Sequence, residues 1–216
     1  MQERHQRDAE DDERHRQPEV ELHEPHAVGG ALPGGANPFA NPSFIDKPFM
    51  TQALAPSQRR TRQQLIAVAN GYFETLQLND GTIRTAFDPA CNRVENGLQT
   101  TNNPAMPLGP LSALGCEAQF ALGQYRYDDR LRDRRFPLVD EERGLVLAAG
   151  FIDHEGRLGD YKLADGSPAQ SPIRRPHTFV LLELFKIVDG KILQVEAAFI
   201  TVPYNMPSPW VRQSGH

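Results

Sequence analysis

One short segment, "HTFVLLELFKI" (residues 177–187), carries two side chains able to move protons. A strand alternates its side chains, so His177, Phe179, Leu181, Glu183 and Phe185 share one face. An imidazole and a carboxyl set on an otherwise apolar face suit acid–base chemistry, because burial penalises the charged form of each and moves both toward neutral operation. A plainer reading stays open: His177 stands at a strand end in partial contact with water, and Glu183 pairs with an Arg or Lys. A second candidate closes the apolar run "GLVLAAGFIDH", where Asp153 and His154 are adjacent. Asp153 is an acidic partner for His177 in one reading and part of a turn in the other, since Glu155-Gly156 follows.

The groups that would orient a substrate are sought in "CNRVENGLQTTNN" (residues 91–103). Its first half alternates as a strand, and its second half is crowded with amides and hydroxyls. Arg93, Asn96, Gln99 and Thr100 are the candidate substrate-binding residues, with Glu95 beside them. The alternative is a surface strand on which Arg93 and Glu95 pair, an interaction worth ~0–1 kcal/mol. Tyr72, on an apolar helical face, is either a hydrogen-bond donor to substrate or a core tyrosine. Phe151 and Tyr204 complete the candidate binding set, Tyr204 at the mouth of the site or at an interface.

The elements that must position these residues follow from periodicity. In "SQRRTRQQLIAVANGYFETLQLNDG" the apolar residues Leu65, Ile66, Ala69, Tyr72, Phe73 and Leu76 form one helical face, ended by Asn79-Asp80-Gly81. A short helix is expected over 81–87 and a third from Ser112 to about Leu122. Strands follow in "RRFPLVD", "GLVLAAGFIDH", "HTFVLLELFKI" and "KILQVEAAFITV". Asp189-Gly190 marks a hairpin between the last two. Residues 155–172 read as a polar insertion. Helices first and strands after is an α+β order. Three N-terminal helices covering a curved antiparallel or mixed sheet would leave a cone with one open mouth, suited to a small apolar ligand with a few polar anchors.

Composition narrows the function classes. The chain has 216 residues and a formal charge of −5. Residues 1–26 hold nine acids and four arginines, so the remainder balances at 19 basic and 19 acidic residues. A neutral domain with no basic stripe argues against nucleic acid as a partner. No apolar run is long enough to span a bilayer, so no membrane partner is expected, and the N-terminus is too polar for a secretory signal. These point to the cytoplasm, where Cys91 and Cys116 would be free thiols. No metal or cofactor motif is present, so neither a metal nor a cofactor is expected. Residues 1–56 read as a disordered or extended arm, and 57–216 as the folded domain. Phe39, Phe44 and Phe49 recur among the prolines of that arm, which suggests docking and a homo-oligomer.

Two stretches resemble a known superfamily. "VANGYFETLQLNDG" is similar to the first helix of ketosteroid isomerase, with Tyr72 where that family keeps its oxyanion-hole tyrosine. "CNRVENG" is similar to the strand that carries its general base, although Asn96 stands where the Asp belongs. The element order over about residues 60–204 resembles the nuclear transport factor 2-like (SnoaL-like) superfamily. The combination "CNRxENGxQTTN … RxFPxVDEERGLV … FxDH … ELFKIxDGKI … PY" resembles the cofactorless diarylpropane γ-formaldehyde lyases of bacterial lignin catabolism. The resemblance implies a cofactor-independent carbon–carbon lyase acting on a small aromatic diol, giving a stilbene, formaldehyde and water. His177, Asp153, Glu183 and Tyr72 would supply the chemistry. A dehydratase, isomerase or polyketide-cyclase-like enzyme, or a non-catalytic binding module, is the alternative.

Overall fold

The computed structural model describes residues 47–106 and 110–210, all within one compact unit. Phe39 and Phe44 therefore lie outside the described residues. Helix α1 spans Arg62–Leu76. Its start is fixed by a capping box, in which Thr61 accepts from the Gln64 backbone while the Gln64 side chain accepts from the Thr61 N–H at 3.0 Å. The expected apolar face is buried at Leu65, Ala69, Tyr72, Phe73 and Leu76, with Ile66 half-buried.

No helix forms over 81–87. The segment instead runs across α1, which satisfies its polar groups. The Thr75 hydroxyl accepts from the Arg84 N–H at 2.9 Å, and the Thr85 hydroxyl donates to the Val68 carbonyl at 2.9 Å. Gly71 permits the crossing, since a Cβ there would meet the Arg84 carbonyl oxygen at 2.5 Å. The third expected helix is shortened to α2, Cys116–Ala121, preceded by a 3-10 turn over Pro110–Ala113. Two α-helices rather than three thus accompany the sheet among the described residues.

The strands are β1 (Phe87–Glu95), β2 (Leu98–Gln99), β3 (Arg130–Asp140), β4 (Leu145–His154), β5 (Asp160–Lys162), β6 (Pro168–Gln170), β7 (His177–Val188) and β8 (Lys191–Val202). Six of them form a mixed sheet in the order β2-β1-β8-β7-β4-β3, in which β1 and β8 run parallel and the other pairs antiparallel. The architecture is α+β. Asp189-Gly190 makes the β7–β8 turn with left-handed backbone at both residues (φ 52° and 78°). The insertion at 155–172 is structured, folding as the separate β5–β6 hairpin.

Register assigns the two faces of the sheet. Glu183 pairs with Ala148 and Ala197, and Phe185 with Val146 and Val195, so these residues share the face that α1 covers. Tyr72 of α1 meets Phe185 there at a centroid distance of 5.0 Å. Leu181 is buried on the same face and Phe199 half-buried. The other face holds Phe151, Asp153, the half-buried Leu147, and the exposed Leu182 and Ile200.

The cysteines are not free thiols. Cys91 of β1 and Cys116 of α2 form a disulfide with a Cα separation of 5.8 Å. The two are 25 residues apart in sequence, and α2 packs against β1, so both sulfurs enter the same buried layer. Closing a loop of this length stabilises the fold by about 3.5 kcal/mol in the chain-entropy account. Among the described residues, no helix is long and apolar enough to cross a membrane.

Candidate functional site

The helix-covered face of the sheet leaves an inner cavity of ≈ 80 Å³, walled by Leu76, Ile152, Phe179, Leu181 and Phe199. Into this apolar space come Arg93 and Glu95 from β1, Glu183 from β7, and Asp128 from the segment before β3. A larger chamber of ≈ 590 Å³ adjoins it. Glu95, Tyr125 and Tyr127 line both. The β5–β6 hairpin forms much of the outer wall through Tyr161, Leu163, Pro168 and Gln170. That hairpin is tied down by the Tyr161 hydroxyl, which donates to the Gln124 carbonyl at 2.7 Å, and by the Ala164 N–H, which donates to the Leu122 carbonyl at 2.8 Å.

Arg93 is almost fully buried and committed to its neighbours. Its guanidinium pairs with Glu95, donates to the Tyr125 hydroxyl, and stands 3.4 Å from the Gln119 side-chain oxygen. It also lies 4.7 Å from the Tyr125 ring centroid. Burial works to lower the Arg93 pKa, but Glu95 beside it prevails and the group stays charged. Gln119 in turn donates to the carbonyls of Thr100 and Leu111, which locks this network to α2 and the loop before it.

Glu183 is the contrasting group. It is 5% exposed, and its Oε2 has no hydrogen-bond partner. Burial pushes its pKa up to about 8, against the pull of Arg93 and with a further push from Glu95. Asp128 is held well above the carboxylate range by burial, Arg93 again opposing. Its Oδ1 lies 3.3 Å from Nδ1 of His154, which also faces the Tyr127 carbonyl at 3.1 Å. Burial depresses the His154 imidazole, with the His177 ring adding to the effect and the Tyr127 carbonyl resisting it. At neutral pH the cavity therefore holds one ion pair, Arg93–Glu95, a largely protonated Glu183, and Asp128, whose neutral form burial favours. Burial brings the neutral and charged forms of Glu183 close in free energy near neutral pH, so this group can give or take a proton there.

The residues singled out in the sequence fall in different places. Arg93 and Glu183 line the inner cavity, and Thr100 lines the outer chamber. His177 lines neither chamber, its ring 4.7 Å from His154 and its Nδ1 2.9 Å from the Arg175 carbonyl. Tyr72 is packed among Phe73, Phe87, Phe120 and Phe185, lines neither chamber, and leaves its hydroxyl unpartnered. Burial raises its pKa well above the ordinary phenol value.

Asp153 and Phe151 occupy the opposite face of β4. Asp153 is clamped by Arg130 and Arg132, each with Nε at 2.8 Å, and accepts from the Thr178 hydroxyl at 2.6 Å. Burial acts to raise its pKa, but these donors prevail and hold it below the ordinary value. Phe151 lies under the Arg132 guanidinium, 4.7 Å away, and against Trp210. Tyr204 is 40% exposed beyond β8 and lines neither chamber.

Asn96 is exposed and begins a turn with Gly97 (φ 47° and 81°). Its side chain imitates a strand, accepting from the Phe199 N–H at 2.9 Å and donating to the Phe199 carbonyl at 3.2 Å. The other polar groups of 96–103 are spent likewise. Gln99 donates to the Thr101 carbonyl, Asn102 to the Cys91 carbonyl, and Asn103 to the Gln99 carbonyl. They build an irregular strand return with satisfied backbone groups.

Sequence reasoning missed Asp128, Tyr125, Tyr127 and Gln119. The first three lie in "QYRYDDR", a turn before β3 in which two tyrosines and two adjacent acids are the only signal. Gln119 had no signal beyond being an amide in a short apolar helix.

The profile of a domain of unknown function, DUF8021, matches residues 58–199, a stretch holding every residue of both chambers. The chain belongs to the DUF8021 family. No curated protein matches it. Among solved structures, it aligns with AusH from Aspergillus nidulans at 13% identity and a TM-score of 0.39, covering 65% of this chain and 86% of that one. It aligns with a candidate isomerase from Rhodopseudomonas palustris at 9% identity and a TM-score of 0.38, covering 65% and 91%. Scores this low establish neither a common fold nor a common activity.

Proposed function

We propose that this DUF8021 chain is an acid–base enzyme of the nuclear transport factor 2-like kind, acting on a small molecule whose reacting end enters the inner cavity. The observation that carries the reading is Glu183, a carboxyl buried in a cavity with Oε2 unpartnered and a pKa near 8. A group of this kind has no evident structural use, and it is poised to exchange a proton near neutrality. Glu183 gives its proton to a departing hydroxyl, whose C–O bond breaks to release water. Asp128 serves as the base in its ionised form, which His154 Nδ1 steadies, and takes a proton from the adjacent carbon or hydroxyl. Return of that proton to Glu183 closes the cycle. The Arg93–Glu95–Tyr125 network polarises an oxygen of the substrate at the junction of the chambers.

Loss of a proton from carbon together with the hydroxyl makes the reaction a dehydration; where no hydroxyl departs, return of the proton to a second carbon makes it an isomerisation. Loss of a proton from a terminal hydroxyl instead breaks the C–C bond and frees formaldehyde, the lyase reaction that the sequence motifs imply. The disulfide favours an oxidising compartment over the cytoplasm as the working place of the protein. Homo-oligomerisation remains part of the proposal, checked by the sedimentation mass of the full chain.

A panel of hydroxylated aromatics, including a 1,2-diaryl-1,3-propanediol assayed for formaldehyde, tests the reading. Turnover of at least one compound that disappears in Glu183→Gln supports it. Binding without turnover across the panel would make the protein a carrier. Turnover undiminished in Glu183→Gln would remove the proposed acid.

A further inference from the structure

The two chambers differ in size, wall chemistry and charge, and together they describe the molecule that fits them. An enclosed apolar void of about 150 Å³ holds one benzene. The inner cavity, at ≈ 80 Å³, is too small for a ring and has room for a hydroxyl, a carbonyl or a short carbon end. The outer chamber, at ≈ 590 Å³, lies within the ~300–1,000 Å³ range of small-molecule sites. Its walls offer flat or apolar surfaces at Tyr127, Tyr161, Leu163 and Pro168. We propose that the substrate is uncharged, with a small hydroxyl- or carbonyl-bearing end for the inner cavity and a flat apolar body of one or two rings for the outer chamber. This rests on the acid–base reading of the same site.

The charge requirement follows from what lines the inner cavity. Among the described residues, Arg93 is its only lysine or arginine, and its guanidinium already serves Glu95 and Tyr125. An anion would enter beside three carboxyl groups, Glu95, Asp128 and Glu183, with no free cation to receive it. A cation would gain attraction from Asp128 and Glu183 only if these ionised, which the apolar walls oppose, and would lose its own hydration. A neutral oxygen meets neither cost. It finds an unpartnered Oε2 on Glu183 and an unpartnered Nε on Arg93. In the outer chamber, the buried Oε1 of Gln124 is also without a partner, and it suits a hydroxyl or N–H on the body of the ligand.

Three compounds with one skeleton test this directly: 2-phenylethanol, phenylacetate and 2-phenylethylamine. Each is titrated into the full chain at pH 7, with affinity read from backbone amide shifts. The alcohol is expected to shift the amides around Glu183, Arg93 and Tyr125 and to bind at least tenfold more tightly than either ion. Tyr161→Ala, which removes one wall of the outer chamber, is expected to weaken alcohol binding at least threefold while leaving the Glu183 titration unchanged. Glu183→Gln, which keeps the hydrogen bond, is expected to retain alcohol binding within threefold. Equal or tighter binding of the acid or the amine, or no binding of the alcohol, overturns the proposal. The titration of Glu183 in the ligand-free protein separates the two failures. If Glu183 is protonated at pH 7, the acid–base reading stands and only the substrate class falls; if it is ionised, both fall.

Discussion

Asp153 and Glu183 are both buried carboxyls in adjacent strands of one sheet, and they are opposites. Asp153 faces outward into two arginines and a threonine hydroxyl, and its donors keep it ionised. Glu183 faces inward into an apolar cavity whose single guanidinium is shared with Glu95, and burial keeps it protonated. Burial alone does not make a carboxyl reactive. Burial without a dedicated cation does, because the neutral and charged forms then come close in free energy near neutral pH. On the proposed reading, Asp153 serves the structure and Glu183 the chemistry.

The largest expected effect is on turnover. General acid–base catalysis supplies ~10²–10⁴ in rate. Glu183→Gln should lower kcat by about that factor on any substrate the panel identifies, with the fold intact by circular dichroism. Asp153→Asn should change kcat by less than about threefold. A reversal of these two results would break the contrast. Next comes stability. Asp153→Asn takes one of two anions from the mostly buried Arg132, which keeps Asp133, and breaking a buried pair costs about 3–5 kcal/mol. Arg130 is half exposed, which places the cost at the low end, about 3 kcal/mol by urea denaturation.

Both acids were visible in the sequence, and their difference was not. Alternation correctly placed His177, Phe179, Leu181, Glu183 and Phe185 on one face, because a strand with one covered face leaves little freedom of register. It could not say which face of β4 received Asp153, since nearly every residue of that strand is apolar. The amide-rich stretch at 96–103, of which Thr100 lines the outer chamber, was ambiguous for a physical reason. Asn side chains that replace strand bonds at a turn have the same composition as amides lining a cavity, and only the positive φ of Asn96 and Gly97 separates the two. In place of the expected helix at 81–87, the segment binds across α1, with the Arg84 N–H donating to the Thr75 hydroxyl and the Thr85 hydroxyl donating to the Val68 carbonyl. The disulfide was hidden by an inference from compartment rather than from spacing.

A smaller effect sharpens the contrast through pH. The folded-state pKa of Glu183 lies above the 4.5 of the free group, so the folded protein keeps a proton that the unfolded chain releases. The associated stability is fully present below about pH 4.5 and is lost as pH rises toward about 8, at ~1.4 kcal/mol per unit. Subtracting the pH profile of Glu183→Gln from that of the parent should isolate this slope together with the smaller effect of Glu183 on Asp128. The smallest effect concerns Asn96. Glycine also accepts its left-handed backbone, so Asn96→Gly should cost only about 1 kcal/mol for the lost hydrogen bonds to Phe199 and leave kcat unchanged. A large loss of kcat would return Asn96 to the substrate site.

The most direct test of the account is the protonation state of Glu183 itself. Carbon-13 NMR of the side-chain carboxyl, assigned by its disappearance in Glu183→Gln, follows the group from pH 4 to pH 10 without a substrate. The account predicts a protonated carboxyl at pH 6 that titrates near pH 8. A carboxylate already ionised at pH 6 would contradict it.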